Sequence, residues 1–218
     1  FANGPECFPE TLSAFQDFNL KMMDTSGRNV SKSVLLGPAL QFMARAPGLG
    51  LRVDTVARLA GQLISERVHP PRVGRRRTSQ MQIAFDLFIK QLELKKPDLA
   101  TFFTNHVASS MHRYWPAKFP QDYSGTDLGS EWRRIYGGEI DFTMTEADRQ
   151  ISSLAAFVER NSGYVLLVTS SMGQAAVDAS QVIHSQLYIE NMDKFMGALG
   201  VSSGQWTKHR AKIGRAHV

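Results

Sequence analysis

The stretch Pro97-Asp98-Leu99-Ala100-Thr101-Phe102-Phe103-Thr104-Asn105-His106, closed by Ala108-Ser109-Ser110-Met111-His112-Arg113-Tyr114-Trp115, decides how this chain is read. A helix with the basic end Lys95-Lys96 runs into Pro97, which lacks an N–H and forbids continuation. Residues 99–104 then form a short apolar run without clean alternation, the pattern of a strand covered on both faces. Polar and ring-bearing residues follow at its carboxyl end, where an open α/β sheet places its ligand crevice. Asn105, His106 and His112 are therefore candidates for chemistry. An equal claim belongs to the plainer role, in which both histidines hydrogen-bond loop backbone.

Upstream, the chain reads as helices. Pro9 suits a first turn, and Leu12, Phe15, Phe18 and Met22 share one helical face. Leu36, Leu40 and Met43 suggest a second helix, and a third follows Asp54 as N-cap, with Val56, Leu59, Ala60, Leu63 and Ile64 inward until His69-Pro70-Pro71. Arg72, Arg75, Arg76 and Arg77 make a basic knot, read as a solvated loop because no stacking aromatics are interleaved with it. Thr78 or Ser79 would cap the next helix, which carries Met81, Phe85, Phe88 and Leu92.

Downstream, residues 115–138 show no period but are rich in rings, prolines and glycines, as in a functional loop or a packed excursion. Thr145-Glu146-Ala147-Asp148 resembles a capping box, and Ile151, Leu154, Ala155 and Val158 form an inward stripe that Asn161-Ser162-Gly163 ends. Residues 164–169 read as a second buried strand, parallel to the first by a right-handed crossover. Ser170-Ser171-Met172-Gly173-Gln174 would then lie on the same rim as His106 and His112. Residues 186–189 read as a third strand, and Asn191 as the cap of a helix ending at Gly200.

Composition narrows the class. The chain has 218 residues, 43% apolar and 21% charged, which is ordinary for a soluble globular protein. No apolar run approaches the roughly 20 residues of a membrane span. The single cysteine, Cys7, excludes an internal disulfide and a cysteine-based metal cage. The net charge of +5 is mild and concentrated in the knot and at the carboxyl end, an argument against nucleic acid as the partner. The first residue is not Met, and residues 213–218 resemble a reading frame of a sequencing adapter. The expectation is thus a fragment of a longer protein.

Glycine-rich phosphate loops, G-x-S-x-G and H-E-x-x-H are missing from the sequence. At its two expected strand ends, however, the chain resembles the alkaline phosphatase superfamily, in particular its type I phosphodiesterase/nucleotide pyrophosphatase and sulfatase-like branches. The resemblance is carried by Pro97-Asp98, the run 99–104 and Ala108-Ser109-Ser110-Met111-His112, then by Asp148, the run 165–168 and Ser170-Ser171-Met172-Gly173-Gln174, over residues 78–201. It implies a divalent metal such as zinc, with His112 as a ligand. Where the family has its other metal-binding Asp, Asp and His, this chain has Ala108, Ser171 and Met172. Alanine holds no metal, and a thioether is too soft for a hard dication. The usual two-metal clamp on attacking and leaving oxygens is therefore not expected.

The expected architecture is α/β: a mostly parallel central sheet flanked by helices over residues 78–201, a helical region at 1–77 acting as a cap or insertion, and a tail at 202–218. The resemblance implies a divergent phosphoesterase or sulfatase-like hydrolase with a degenerate metal site. In it His112 and His106 would act as acid/base groups or residual ligands, and Asn105 and Ser171 would orient the substrate. The alternative is a non-catalytic relative that binds a phosphorylated or sulfated ligand, or a protein partner, on the same rim.

Overall fold

A computed structural model describes residues 6–25, 48–123, 129–170, 173–176, 189 and 191–206. A 3-10 turn at Glu10–Leu12 leads into α1 (Ser13–Thr25). Then come α2 (Val53–Val68), a 3-10 segment at Pro70–Arg75, α3 (Arg76–Lys95) and α4 (His106–Lys118). After a 3-10 turn at Pro120–Asp122, α5 (Ser130–Tyr136), α6 (Glu139–Arg160) and α7 (Met192–Ala198) complete the described elements.

The expected α/β architecture is overturned: the described residues are helical and contain no strand and no sheet. A strand exists only by pairing its backbone, and among the described residues neither of the first two expected strands lies in a sheet. The N–H of Tyr164 turns back onto Asn161 O at 3.0 Å. Beyond it Tyr164 and Leu166 face the helices while Val165 and Leu167 stand exposed. Residues 99–104 are held to α3 by a ring instead. Phe102 sits with centroids 5.3 Å from Phe85 and 5.2 Å from Phe88. Of the third expected strand, 186–188 lie outside the described residues, as does the expected helix around Leu36–Met43. The loop expected at 115–138 largely winds into the end of α4 and α5.

Helix α3 is the centre. Leu51, Ile83 and Leu87 form a buried cluster, with Leu12 of the first 3-10 turn, Phe15 and Phe18 of α1, and Val56 and Leu59 of α2 packed against it. Burial on α3 extends past one stripe to Thr78, Met81, Gln82, Phe85, Asp86 and Leu92, so helices cover it on several sides. It ends at Lys96, which takes a left-handed φ of 44° just before Pro97. Helix α6 begins at Glu139, earlier than the box at Thr145 suggested, and stops at Asn161 as expected. Asn191 caps α7 by accepting from Lys194 N at 2.9 Å.

The arginine knot is not a solvated loop. Arg76 makes a fork with Glu66 of α2, and Arg75 a fork with Glu139 of α6; all four side chains are largely buried. The Arg75 guanidinium also lies 4.2 Å over the Phe142 ring. Arg72 is spent on Ser65 Oγ at 2.7 Å.

At the other end of α2 the buried carboxylate of Asp86 does the work of a capping residue supplied from α3. It accepts from Arg52 N at 2.9 Å and from the Thr55 hydroxyl, which in turn receives a hydrogen bond from Arg58. Burial pushes the Asp86 carboxyl above the usual carboxylate range, against these hydrogen bonds. Since the folded value is raised, the stability it contributes is full below the unfolded pKa and is lost as pH rises through the folded value.

Two stability outcomes follow, both read by urea unfolding. Asp86→Ala strands two buried donors and costs about 1–3 kcal/mol. Asp86→Asn keeps an acceptor, costs less, and abolishes the decline of stability with rising pH. Glu66→Ala takes the carboxylate of the fork away from the buried Arg76 guanidinium and costs about 3 kcal/mol, whereas Glu66→Leu combined with Arg76→Met costs less.

Candidate functional site

The residues singled out around His106 and His112 lie on α4 and on its approach. Asn105 is the N-cap residue, exposed, with no side-chain capping bond. His106 opens the helix and is only 6% exposed, against α6. Its Nε2 lies 3.2 Å from Thr143 O, a carbonyl that only accepts, so Nε2 carries the proton. Nδ1, 2.7 Å from Thr104 Oγ1, is then the acceptor for that hydroxyl. Burial lowers the His106 pKa below the ordinary value, outweighing the backbone bond and the charge of Glu146. Both ring nitrogens are therefore committed to holding the turn into α4 against α6.

His112 is exposed, and its Nε2 receives the amide of Gln174 at 3.0 Å. Gln174 also donates to Ala108 O at 3.4 Å, which seats residues 173–176 on α4. Six residues of helix separate the two histidines, a turn of about 240° and a rise of about 9 Å. They do not converge on a common substrate atom. Ser171 lies outside the described residues. His112 has an amide beside it where a dication would need further anionic donors. Among the described residues no three His, Cys, Asp or Glu side chains come together in a metal-holding group. The described donors thus do not fit the implied metal.

A different constellation stands on the same helix. Arg77 of α3 and Arg113 and Tyr114 of α4 line a cavity of about 20 Å³, with Ser109 and the edge of His106. Three features put them there. Arg77 lies four residues before the buried Met81 and so shares its inward face. The Tyr114 ring is fixed by stacking on Tyr136 of α5 at 5.1 Å and 12°. The Tyr114 hydroxyl closes on Gly74, where an added Cβ would stand 2.8 Å from its oxygen.

The electrostatics of the cavity are one-sided. Glu139 also lines it, but its carboxylate is taken by Arg75. Among the described residues no carboxylate pairs with Arg77 or Arg113. Burial, then the neighbouring Arg113 charge, lowers the pKa of Arg77, while burial raises that of Tyr114. Two guanidinium groups and a phenol thus converge on a space that admits one oxygen-sized atom.

Arg113 and Tyr114 stand inside the stretch 97–115 and Arg77 inside the basic knot, where residue type alone does not distinguish them from solvated side chains. The available signal was the spacing from Arg77 to Met81, which continues the helical period back into the knot.

No family model, no curated protein and no solved structure matches this chain. No helix among the described residues is long and apolar enough to cross a membrane.

The committed His106 sets a pH test. With the folded pKa lowered, the neutral ring's contribution to stability is present above the unfolded value of about 6.5 and is lost as pH falls. Urea midpoints will drop between pH about 7.5 and about 5 in the parent protein, and will drop less in His106→Gln. Equal drops would show that this ring is not the group responsible.

Proposed function

We propose that this chain is a helical oxyanion-binding module, which holds a phosphate- or sulfate-bearing ligand between Arg77 and Arg113. One observation carries the reading: two guanidinium groups without carboxylate partners among the described residues line one small cavity with the Tyr114 hydroxyl. Planar guanidinium forks match phosphate and sulfate oxygens, and a charge-assisted bond in a partly buried site outweighs one on an open surface. The ligand seats one oxygen in the cavity and leaves the rest of the group at its mouth.

This is the binding alternative drawn from the sequence rather than the hydrolytic one. Support for it also comes from the histidines, one closed by two hydrogen bonds and the other set against an amide on another face of α4. His106 does accept the Thr104 hydroxyl, but its other nitrogen is held by the Thr143 carbonyl and the ring is buried, while His112 meets an amide and no hydroxyl among the described residues.

Calorimetric titration with inorganic phosphate and with sulfate tests the reading. Binding is expected to saturate and to weaken as salt is raised. It should fall by about tenfold or more in Arg113→Met, the worth of one charge-assisted hydrogen bond. Gly74→Ala, which pushes the Tyr114 hydroxyl aside, will weaken it as well. Absence of saturation, or affinity retained in Arg113→Met and Arg77→Met, would sink the proposal. Turnover of an aryl phosphodiester or an aryl sulfate that disappears in His112→Ala would replace it with the hydrolase reading.

A further inference from the structure

A second and larger space lies away from α4, where the start of α2 descends between α3 and α6. This cleft has a volume of about 380 Å³, within the usual size of small-molecule sites. Arg52, Lys90 and Arg160 bring three positive charges to its walls, against the carboxylates of Asp86 and Glu93, and Arg52 also meets Asp54 at 3.3 Å in an exposed pair. Asp86 is 4% exposed and already accepts from Arg52 N and Thr55, so it has little left to offer a cation. Glu93 faces Arg160 across 3.8 Å, a loose and exposed pair. Lys90 makes no hydrogen bond or ion pair among the described residues.

Lys90 is nonetheless held in place. Its stem crosses Gly50, whose φ of +97° suits glycine, and an added Cβ there would stand 2.5 Å from Lys90 Cγ. Past Asp86 the cleft opens into a second lobe of about 330 Å³, which shares Arg52, Asp86 and Ser153 with the first. That lobe is also lined by Asp54, Glu146 and Asp148, and its Arg58 is paired with Asp54 at 2.8 Å, so the cationic part of the cleft is the first lobe, around Lys90.

We infer that this cleft is a binding site for a small organic acid bearing two or three carboxylates. The cations come from three elements and surround the space, so a single small anion does not reach them all, whereas an extended polycarboxylate does. Among the described residues no aromatic ring lines the larger lobe, and its aliphatic walls are Ile89 and Ala156. A flat or apolar ligand would find little to stack on. This inference does not rest on the Arg77–Arg113 pocket.

Calorimetric titration of the full chain with citrate and succinate, and with acetate as the single-carboxylate control, tests it. Citrate is expected to bind saturably and far tighter than acetate. Affinity should fall by about tenfold or more in Lys90→Met, which keeps the stem over Gly50, and again in Arg160→Gln. Circular dichroism identifies a variant that has lost its fold, and the other then decides. Arg113→Met should bind citrate as the parent does. Failure of citrate to saturate, parity with acetate, or unchanged affinity in both cleft variants would overturn the inference. So would a loss confined to Arg113→Met, which would place the citrate in the other pocket.

Discussion

Two adjacent arginines clamp three helices at one corner, and the rest of the packing depends on that clamp. Arg75 and Arg76 stand where the 3-10 segment becomes α3; one reaches Glu139 at the start of α6, the other Glu66 near the end of α2. Cations at a helix N-terminus oppose its dipole, and α3 has no acidic residue in its first turn. The two forks bring carboxylates to that end from the neighbouring helices and offset the mismatch. Such buried pairs contribute little beyond a well-packed apolar equivalent, because desolvation consumes most of the attraction. Their value lies in what they exclude. A slip of α2 or α6 along α3 by one turn would leave two buried charges unmatched.

With that corner fixed, the placement of the remaining charges follows from helical geometry. Arg77, the next residue along α3, is rotated by about 100° and turns toward α4, where it pairs with neither clamping carboxylate although Glu139 borders the same cavity. At the far end of α2, the buried Asp86 receives the helix start and leaves the Arg52 and Lys90 side chains around an open cleft. Both candidate binding sites therefore border α3. At each, a cation of α3, Arg77 or Lys90, faces a space without a carboxylate partner of its own among the described residues.

Much of the helical plan was legible from residue pattern. Pro97 and the left-handed Lys96 stop α3, Asn161 stops α6, and Asn191 caps α7, because capping and proline chemistry act over a few residues and need no tertiary partner. The sheet was misread because an apolar run reports burial preference and not pairing. Residues 164–169 carry a strand's composition, yet among the described residues they find helices on one face and nothing on the other. The knot was misread for a related reason. Local composition marks Arg75 and Arg76 as solvated, while Glu139 lies 64 residues away from Arg75 and shows no sign in the sequence of being its partner. The site followed the same division. His106 and His112 were visible as residue types, but their hydrogen-bond partners Thr143 and Gln174 were not.

That division bears on what α4 is able to do. Acid/base chemistry needs a ring nitrogen free to exchange a proton with substrate, and the quoted stretch offers two histidines that look suitable as symbols. In the fold, the Thr143 carbonyl fixes the proton of His106 on Nε2, and the Thr104 hydroxyl fills its other nitrogen. Releasing either bond would unseat the start of α4 from α6, so proton transfer by this ring would compete with the packing it secures. Arg113 carries no such conflict. It lies beside the Tyr114 hydroxyl, and an anion bound to it relieves the repulsion from Arg77 and calls for no proton transfer. On this helix, binding is compatible with the fold in a way that proton transfer at His106 is not.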